Sequence, residues 1–254
     1  MTTPQTVGFL GTGHIAAPMA RLIARAGHRV TVSQRNHETA RALAKSGLGI
    51  GVADNQGVLD SSDIIFICLR PAVWSDVAPD LNWRSGHKIV SVMAGISLTE
   101  IAMACAPATH VSATLPLGFL EVGGCPLPVA GPVEPLASLL GHINPIIPLA
   151  AETELQSYFA ASALISGVLG LMQSGAKWLG KATDNPDAGE RYVSNLISGY
   201  LGALEKTKAG ELEAHKWSLA TPNTLNLQMV EALEERGLFD DLPEILSKIS
   251  ASME

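Results

Sequence analysis

Residues 7–27, VGFLGTGHIAAPMARLIARAG, decide how this chain is read. Residues 5–10 form a short apolar run followed by glycine, the pattern of a buried strand. Residues 14–26 place Ile15, Met19, Leu22, Ile23 and Ala26 at helical spacing, and Gly27 supplies the stop. Between them lies Gly11-Thr12-Gly13-His14-Ile15-Ala16, a G-x-G-x-x-A loop. Gly11 permits a tight turn out of the strand. Gly13 has no side chain to keep a pyrophosphate from the backbone, and Ala16 lets the helix pack closely on the strand. Free N–H groups and the helix dipole favour negative charge at that point. The bare pattern means little, but a strand before it and an amphipathic helix after it make it a dinucleotide fingerprint.

Working outward, the spacing predicts further strands over 29–33, 63–69, 88–93 and 110–114, with a helix over 38–45. Ser97 with Glu100 three residues on predicts a capping box and a helix through residue 104. Strands alternating with helices imply right-handed crossovers, so the expected class is α/β with an N-terminal Rossmann-type parallel sheet. Gly131, Pro132, Pro135, Pro145 and Pro148 cluster as breakers and put a boundary near residue 150. Residues 1–150 are thus expected to bind the dinucleotide, and 151–254 to form an all-α domain. In the second part helices are expected over 155–180 and 187–206. Another should run to about residue 236 with Thr221 as N-cap and Pro222 at its first position, and a last one over 243–250.

Composition narrows the function. Of 254 residues, 47% are hydrophobic and 16% charged, which describes a packed protein and not a disordered one. A net charge of −7 repels phosphate backbones and argues against nucleic acid as a partner. Cys68, Cys105 and Cys125 form no CxxC pair, so reduced thiols in a cytoplasmic protein are expected. Residues 1–5 carry no basic region of a signal peptide. Residues 155–176 lack any charge and have the length of a membrane span, but Gln156, Ser157, Ser162, Ser166, Gln173 and Ser174 dilute them. They are read as a buried helix of a soluble protein, with no membrane partner. Seven scattered histidines show no ligand spacing, so no metal is expected. No GxSxG, HExxH or GxxxxGK[ST] motif occurs.

The second strand ends in Ser33-Gln34-Arg35-Asn36. A site for NAD would put Asp or Glu here to accept from the ribose 2′-hydroxyl, yet the first acid is Glu38. Arg35 and the Ser33 hydroxyl suit a 2′-phosphate instead, so the cofactor expected is NADP(H). His14, in the loop itself, suits a pyrophosphate contact.

Four stretches resemble the pyrroline-5-carboxylate reductase family: GFLGTGHIAAPMA (8–20), DNQGVLDSSDIIFICLRP (54–71), VSVMAGIS (90–97) and, more weakly, TPNTLNLQMVEALEERGLFDDL (221–242). The resemblance implies that Asn55 joins Arg35 near the 2′-phosphate. It implies that Leu69, Arg70 and Pro71 line the cofactor cleft and that Ala94 and Gly95 approach the nicotinamide end. It also implies an imine-reducing enzyme that dimerises through its helical domain. Thr224 and Asn226 match the family's substrate-contacting turn and are the expected catalytic residues. The substrate side departs from the family. Thr114-Leu115-Pro116-Leu117-Gly118 stands for Met-Pro-Asn-Thr-Pro, FAASALISG (159–167) for Ser-Gly-Ser-Gly-Pro-Ala-Tyr, and residues 221–226 for Ser-Pro-Gly-Gly-Thr-Thr. The substrate expected is a small cyclic imine such as a pyrroline carboxylate or a relative of it, with a different imine from the proline precursor favoured by these departures. A ketone or aldehyde reductase, or a catalytically silent NADP(H)-binding regulator, stays open as an alternative. A β-hydroxyacid dehydrogenase is disfavoured, because residues 155–176 carry no lysine.

The small side chains Ser162, Ser166, Gly170 and Ser174 recur every four residues. An uncharged helix of this length needs burial nearly all round, which about 100 residues can hardly provide alone. A homodimer or higher homo-oligomer is expected.

Overall fold

The structure, a computed structural model, describes residues 3–204 and 208–252. The chain separates into two compact units, Met1–Tyr158 and Phe159–Glu254.

The first unit holds eight strands: β1 Thr6–Leu10, β2 Arg29–Ser33, β3 Gly51–Ala53, β4 Ile64–Ile67, β5 Lys88–Ser91, β6 His110–Thr114, β7 Leu127–Ala130 and β8 Ile146–Pro148. Helices α1 Ala16–Arg25, α2 His37–Ala44, α3 Asn55–Asp60, α4 Pro71–Val77, α5 Leu98–Ala104 and α6 Glu134–Leu140 lie between them. The strands form one sheet in the order β3-β2-β1-β4-β5-β6-β7-β8, parallel except for the antiparallel β6/β7 pair. The segments at 51–53, 55–60, 71–77, 127–130, 134–140 and 146–148 go beyond the elements expected from the sequence. All are three to seven residues long, too short to show a period.

Both faces of the sheet are covered, which is why residues 64–69 read as an unbroken apolar run. Phe9 and Phe66, partners in register, stack at 4.9 Å on the face that Met19, Ile23, Leu43 and Leu136 close. Leu10, Ile65 and Ile67 alternate to the opposite face and meet Val58, Leu59, Trp74 and Ile101. Glu121, in the segment after β6, accepts from Arg21 Nε at 3.0 Å and Arg25 Nη1 at 2.6 Å and so ties that segment to α1. The Arg21 hydrogen bond is the main cause holding its carboxyl below the usual carboxylate range. Cys105 and Cys125 are fully buried; burial pushes the Cys105 thiol up to about 12 and raises that of Cys125.

His87 is 1% exposed, its Nδ1 accepting the Arg84 N–H at 3.1 Å and its Nε2 facing the Leu59 carbonyl at 3.2 Å. Burial first, and then the Arg84 charge, hold its pKa below 6.5. The unfolded chain therefore binds this proton before the folded one does, and stability falls as pH drops below about 6.5. The slope is at most about 1.4 kcal/mol per pH unit. Denaturant melts at pH 7 and pH 5 are expected to show a smaller acid loss for His87→Asn than for wild type.

The second unit is helical. Its boundary falls inside α7, Glu154–Ser162, and is followed by α8 Leu164–Ala182, α9 Pro186–Ala203, α10 Glu211–Leu219, α11 Leu225–Glu234 and α12 Leu238–Ala251. Four expectations change. The helix over 155–180 is broken at Ala163. The one over 187–206 begins at Pro186 and is seen to Ala203, its last two residues lying outside the described ones. The third helix starts at Leu225 with Thr224, not Thr221, as N-cap, because Asn223 takes a left-handed turn at φ +66°. The last starts at Leu238 and carries Pro243 inside it, and α10 was not foreseen.

The uncharged helix is also not buried within one chain. Residues 154–182 are long and apolar enough to cross a membrane by length and composition, and only 6% of their most apolar window is buried. Ser166, Gly170 and Ser174 are exposed. Close packing falls instead on Ala176, Gly180 and Gly189, where a Cβ on Gly189 would stand 2.7 Å from the Ala176 carbonyl oxygen. Trp178 is 70% and Leu225 82% exposed.

Candidate functional site

The order β3-β2-β1-β4-β5 reverses direction between β1 and β4, and such a switch point opens a crevice beyond the strand ends. Because β1 to β5 run parallel, the segments that follow them emerge at one edge of the sheet. That edge collects Gly11 to Ala16, Ser33 to Arg35, Asn55, Leu69 to Pro71, and Ala94 with Gly95. Thr224 and Asn226 belong to the helical unit.

The loop after β1 has the shape its glycines require. Gly11 adopts φ +96°, and a Cβ there would lie 2.4 Å from the Cys68 carbonyl oxygen. Gly13 is exposed, with nothing within 4 Å of where a Cβ would stand. His14 is exposed, Ile15 half-buried and Ala16 1% exposed against the core. Helix α1 begins without a side-chain cap, whereas Asn36, Asp54, Ser97, Asn185 and Thr224 cap α2, α3, α5, α9 and α11. The buried Thr12 hydroxyl has no partner either. An open glycine and an uncapped helix start fit the pyrophosphate of a dinucleotide.

Gln34 and Arg35 are exposed just past β2, and Asn55 is half-buried in the first turn of α3. Ser33 has another part than expected. Its hydroxyl accepts the Gly11 N–H at 2.8 Å and so shapes the loop, and at 1% exposure burial keeps it from a 2′-phosphate. Asn36, named in the sequence only as part of the strand end, caps α2 by accepting from the Thr39 N–H and donates to the Thr12 carbonyl oxygen, both at 3.3 Å. Its place just before a helix was the available signal. Gly8 was also missed. A Cβ there would stand 2.7 Å from Val58 Cγ1, so its bareness is what lets α3 lie on β1.

Leu69 is half-buried, while Arg70, Pro71, Ala94 and Gly95 are exposed; Pro71 opens α4 and Gly95 takes φ +76°. Ser97 and Glu100 form the expected capping box behind this turn. In the helical unit the Thr224 hydroxyl accepts the Leu227 N–H at 3.2 Å and donates to the Thr221 carbonyl at 2.7 Å, so local structure holds it. Asn226 is exposed as the second residue of α11. Among the described residues, no group of three or more His, Cys, Asp or Glu could hold a metal ion.

Comparison with known proteins matches these parts. A family described as NADP oxidoreductase, coenzyme F420-dependent, matches residues 6–95, the strands and loops just described. Pyrroline-5-carboxylate reductase 2 of Pongo abelii is 29% identical over 42% of this chain and 36% of its own length, so the match spans about a third of that relative. The pyrroline-5-carboxylate reductase of Corynebacterium melassecola is 22% identical over 92% of both chains. The solved structure of a pyrroline-5-carboxylate reductase from Coxiella burnetii superposes with a TM-score of 0.84, covering 99% of this chain and 98% of the other at 14% identity. In sequence along its first part, and in fold along its length, the chain resembles the pyrroline-5-carboxylate reductases as a divergent relative.

Proposed function

We propose that the chain is a cytoplasmic, NADPH-dependent reductase of the C=N bond of a small cyclic imine. The observation that carries the cofactor is the strand end at residues 33–36, where Arg35 is exposed and no carboxylate precedes Glu38. Arg35 and Asn55 would hold the 2′-phosphate, Gly11 to Ala16 the pyrophosphate, and Leu69 to Pro71 with Ala94 and Gly95 the nicotinamide half. The cofactor supplies hydride to the imine carbon. The protein's contribution is then position and a dry, oriented contact. Gly95 at φ +76° turns the backbone after β5. On the substrate side Asn226 is the polar group we retain, and Thr224 fixes the turn that presents it. The names of the relatives support C=N as the bond reduced, and the altered stretches at 114–118, 159–167 and 221–226 support a substrate other than theirs.

We further propose a homodimer through the helical unit, whose exposed apolar residues Ile165, Leu169 and Trp178 need a covering surface. Turnover of cyclic imines with NADPH, and none of 2-keto acids or aldehydes, is the expected outcome of a substrate panel. Turnover of the carbonyl compounds alone would make it a C=O reductase, and tight binding without any turnover would make it a regulator. Sedimentation at micromolar concentration is expected to give a dimer; a monomer would reject the assembly.

A further inference from the structure

Resting on the NADP(H) reading, we propose that Asn36 is a positioning residue that fastens the pyrophosphate loop to the 2′-phosphate loop and sets affinity for both dinucleotides. The loop after β1 hangs from β2 at two points. One is the Gly11 N–H, donated to Ser33 Oγ at 2.8 Å, and the other is the Thr12 carbonyl, accepting from Asn36 Nδ2 at 3.3 Å. The second point matters more for a ligand. In a planar trans peptide the C=O and the following N–H point in opposite directions. Turning the Thr12 carbonyl toward Asn36 therefore aims the Gly13 N–H away from β2. Gly13 is exposed, with nothing within 4 Å of where a Cβ would stand, so an anion can approach its N–H.

The same side chain fixes the other end. Asn36 Oδ1 accepts the Thr39 N–H and so anchors the first turn of α2 directly after the exposed Arg35. One amide thus spans the donor set of the diphosphate and the guanidinium expected at the ribose phosphate. Arg35 acts only where a 2′-phosphate exists. Asn36, by holding the Thr12 peptide, acts on any dinucleotide.

Serine caps helices about as well as asparagine but is too short to keep the amide donor, so Asn36→Ser separates the two functions of the side chain. Dissociation constants for NADPH and NADH would be measured by fluorescence titration of the full-length chain, beside its melting temperature. The expected result is an unchanged melting temperature and affinity lowered about five-fold for both dinucleotides, the size of one net hydrogen bond. The NADPH to NADH ratio stays as in wild type. Asn36→Asp, which also caps but cannot donate, is expected to lower affinity for NADH at least as far, because its charge also repels the diphosphate. Wild-type affinity for both dinucleotides in Asn36→Ser, whatever its melting temperature, would reduce Asn36 to a helix cap. A loss confined to NADPH would make it a direct phosphate ligand, and either result overturns the proposal. A wild-type chain that binds neither dinucleotide would overturn the NADP(H) reading itself, and this inference with it.

Discussion

Gly11→Val is expected to destabilise the first unit by roughly 2–5 kcal/mol, while Gly13→Val leaves stability unchanged and abolishes measurable dinucleotide binding. The two glycines stand two residues apart, and their surroundings decide the difference. Gly11 sits at φ +96°, where a side chain costs roughly 1–2 kcal/mol. Its new Cβ would also stand 2.4 Å from the Cys68 carbonyl oxygen. That oxygen is backbone at the end of β4 and cannot swing aside, so β1 and β4 must part where they frame the crevice. Such overpacking adds roughly 1–3 kcal/mol. At Gly13 the backbone is unstrained and nothing lies within 4 Å, so an added side chain fills only the space a pyrophosphate needs. Thermal melts and calorimetric titration with NADPH, run on both variants, separate the two. A Gly13→Val protein that still binds with wild-type affinity would remove the pyrophosphate from this loop.

Arg35→Ala is expected to weaken NADPH about 10- to 100-fold and NADH hardly at all. A guanidinium bound to phosphate through charge-assisted hydrogen bonds contributes roughly 1.5–3 kcal/mol, which is that range in affinity. Because Arg35 is exposed, salt screens the contact, and the gap between the two cofactors should narrow as ionic strength rises. Titrating both dinucleotides at low and high salt checks both points. Equal weakening of NADPH and NADH by the substitution would refute the assignment of Arg35 to the 2′-phosphate.

The strand, loop and helix start around residues 6–25 were legible because their requirements are local. A strand, a tight turn and a helix start leave residue-level marks, and β2 and β6 were bounded to the residue at 29–33 and 110–114. The capping box at Ser97 is likewise a four-residue pattern. What failed depended on partners distant in sequence. Ser33 carries a hydroxyl fit for phosphate, but pairing along β1 and β2 turns it toward Gly11. Thr221 followed by Pro222 has the composition of a helix start. The left-handed Asn223 moves that start three residues on, and nothing in the one-dimensional pattern announces it. Within one chain the close packing of α8 falls on Ala176 and Gly180, because Gly189 on α9 is what meets them.

The buried thiols of Cys105 and Cys125 give the first unit an internal reporter. A thiol that is both sealed off and disfavoured as thiolate cannot meet an alkylating reagent in the native state, so each modification records one opening event. Cys105 sits at the end of α5 and Cys125 just before β7. Alkylation rates resolved by mass spectrometry would thus time the breathing of two separate regions in unmutated protein, with and without nucleotide.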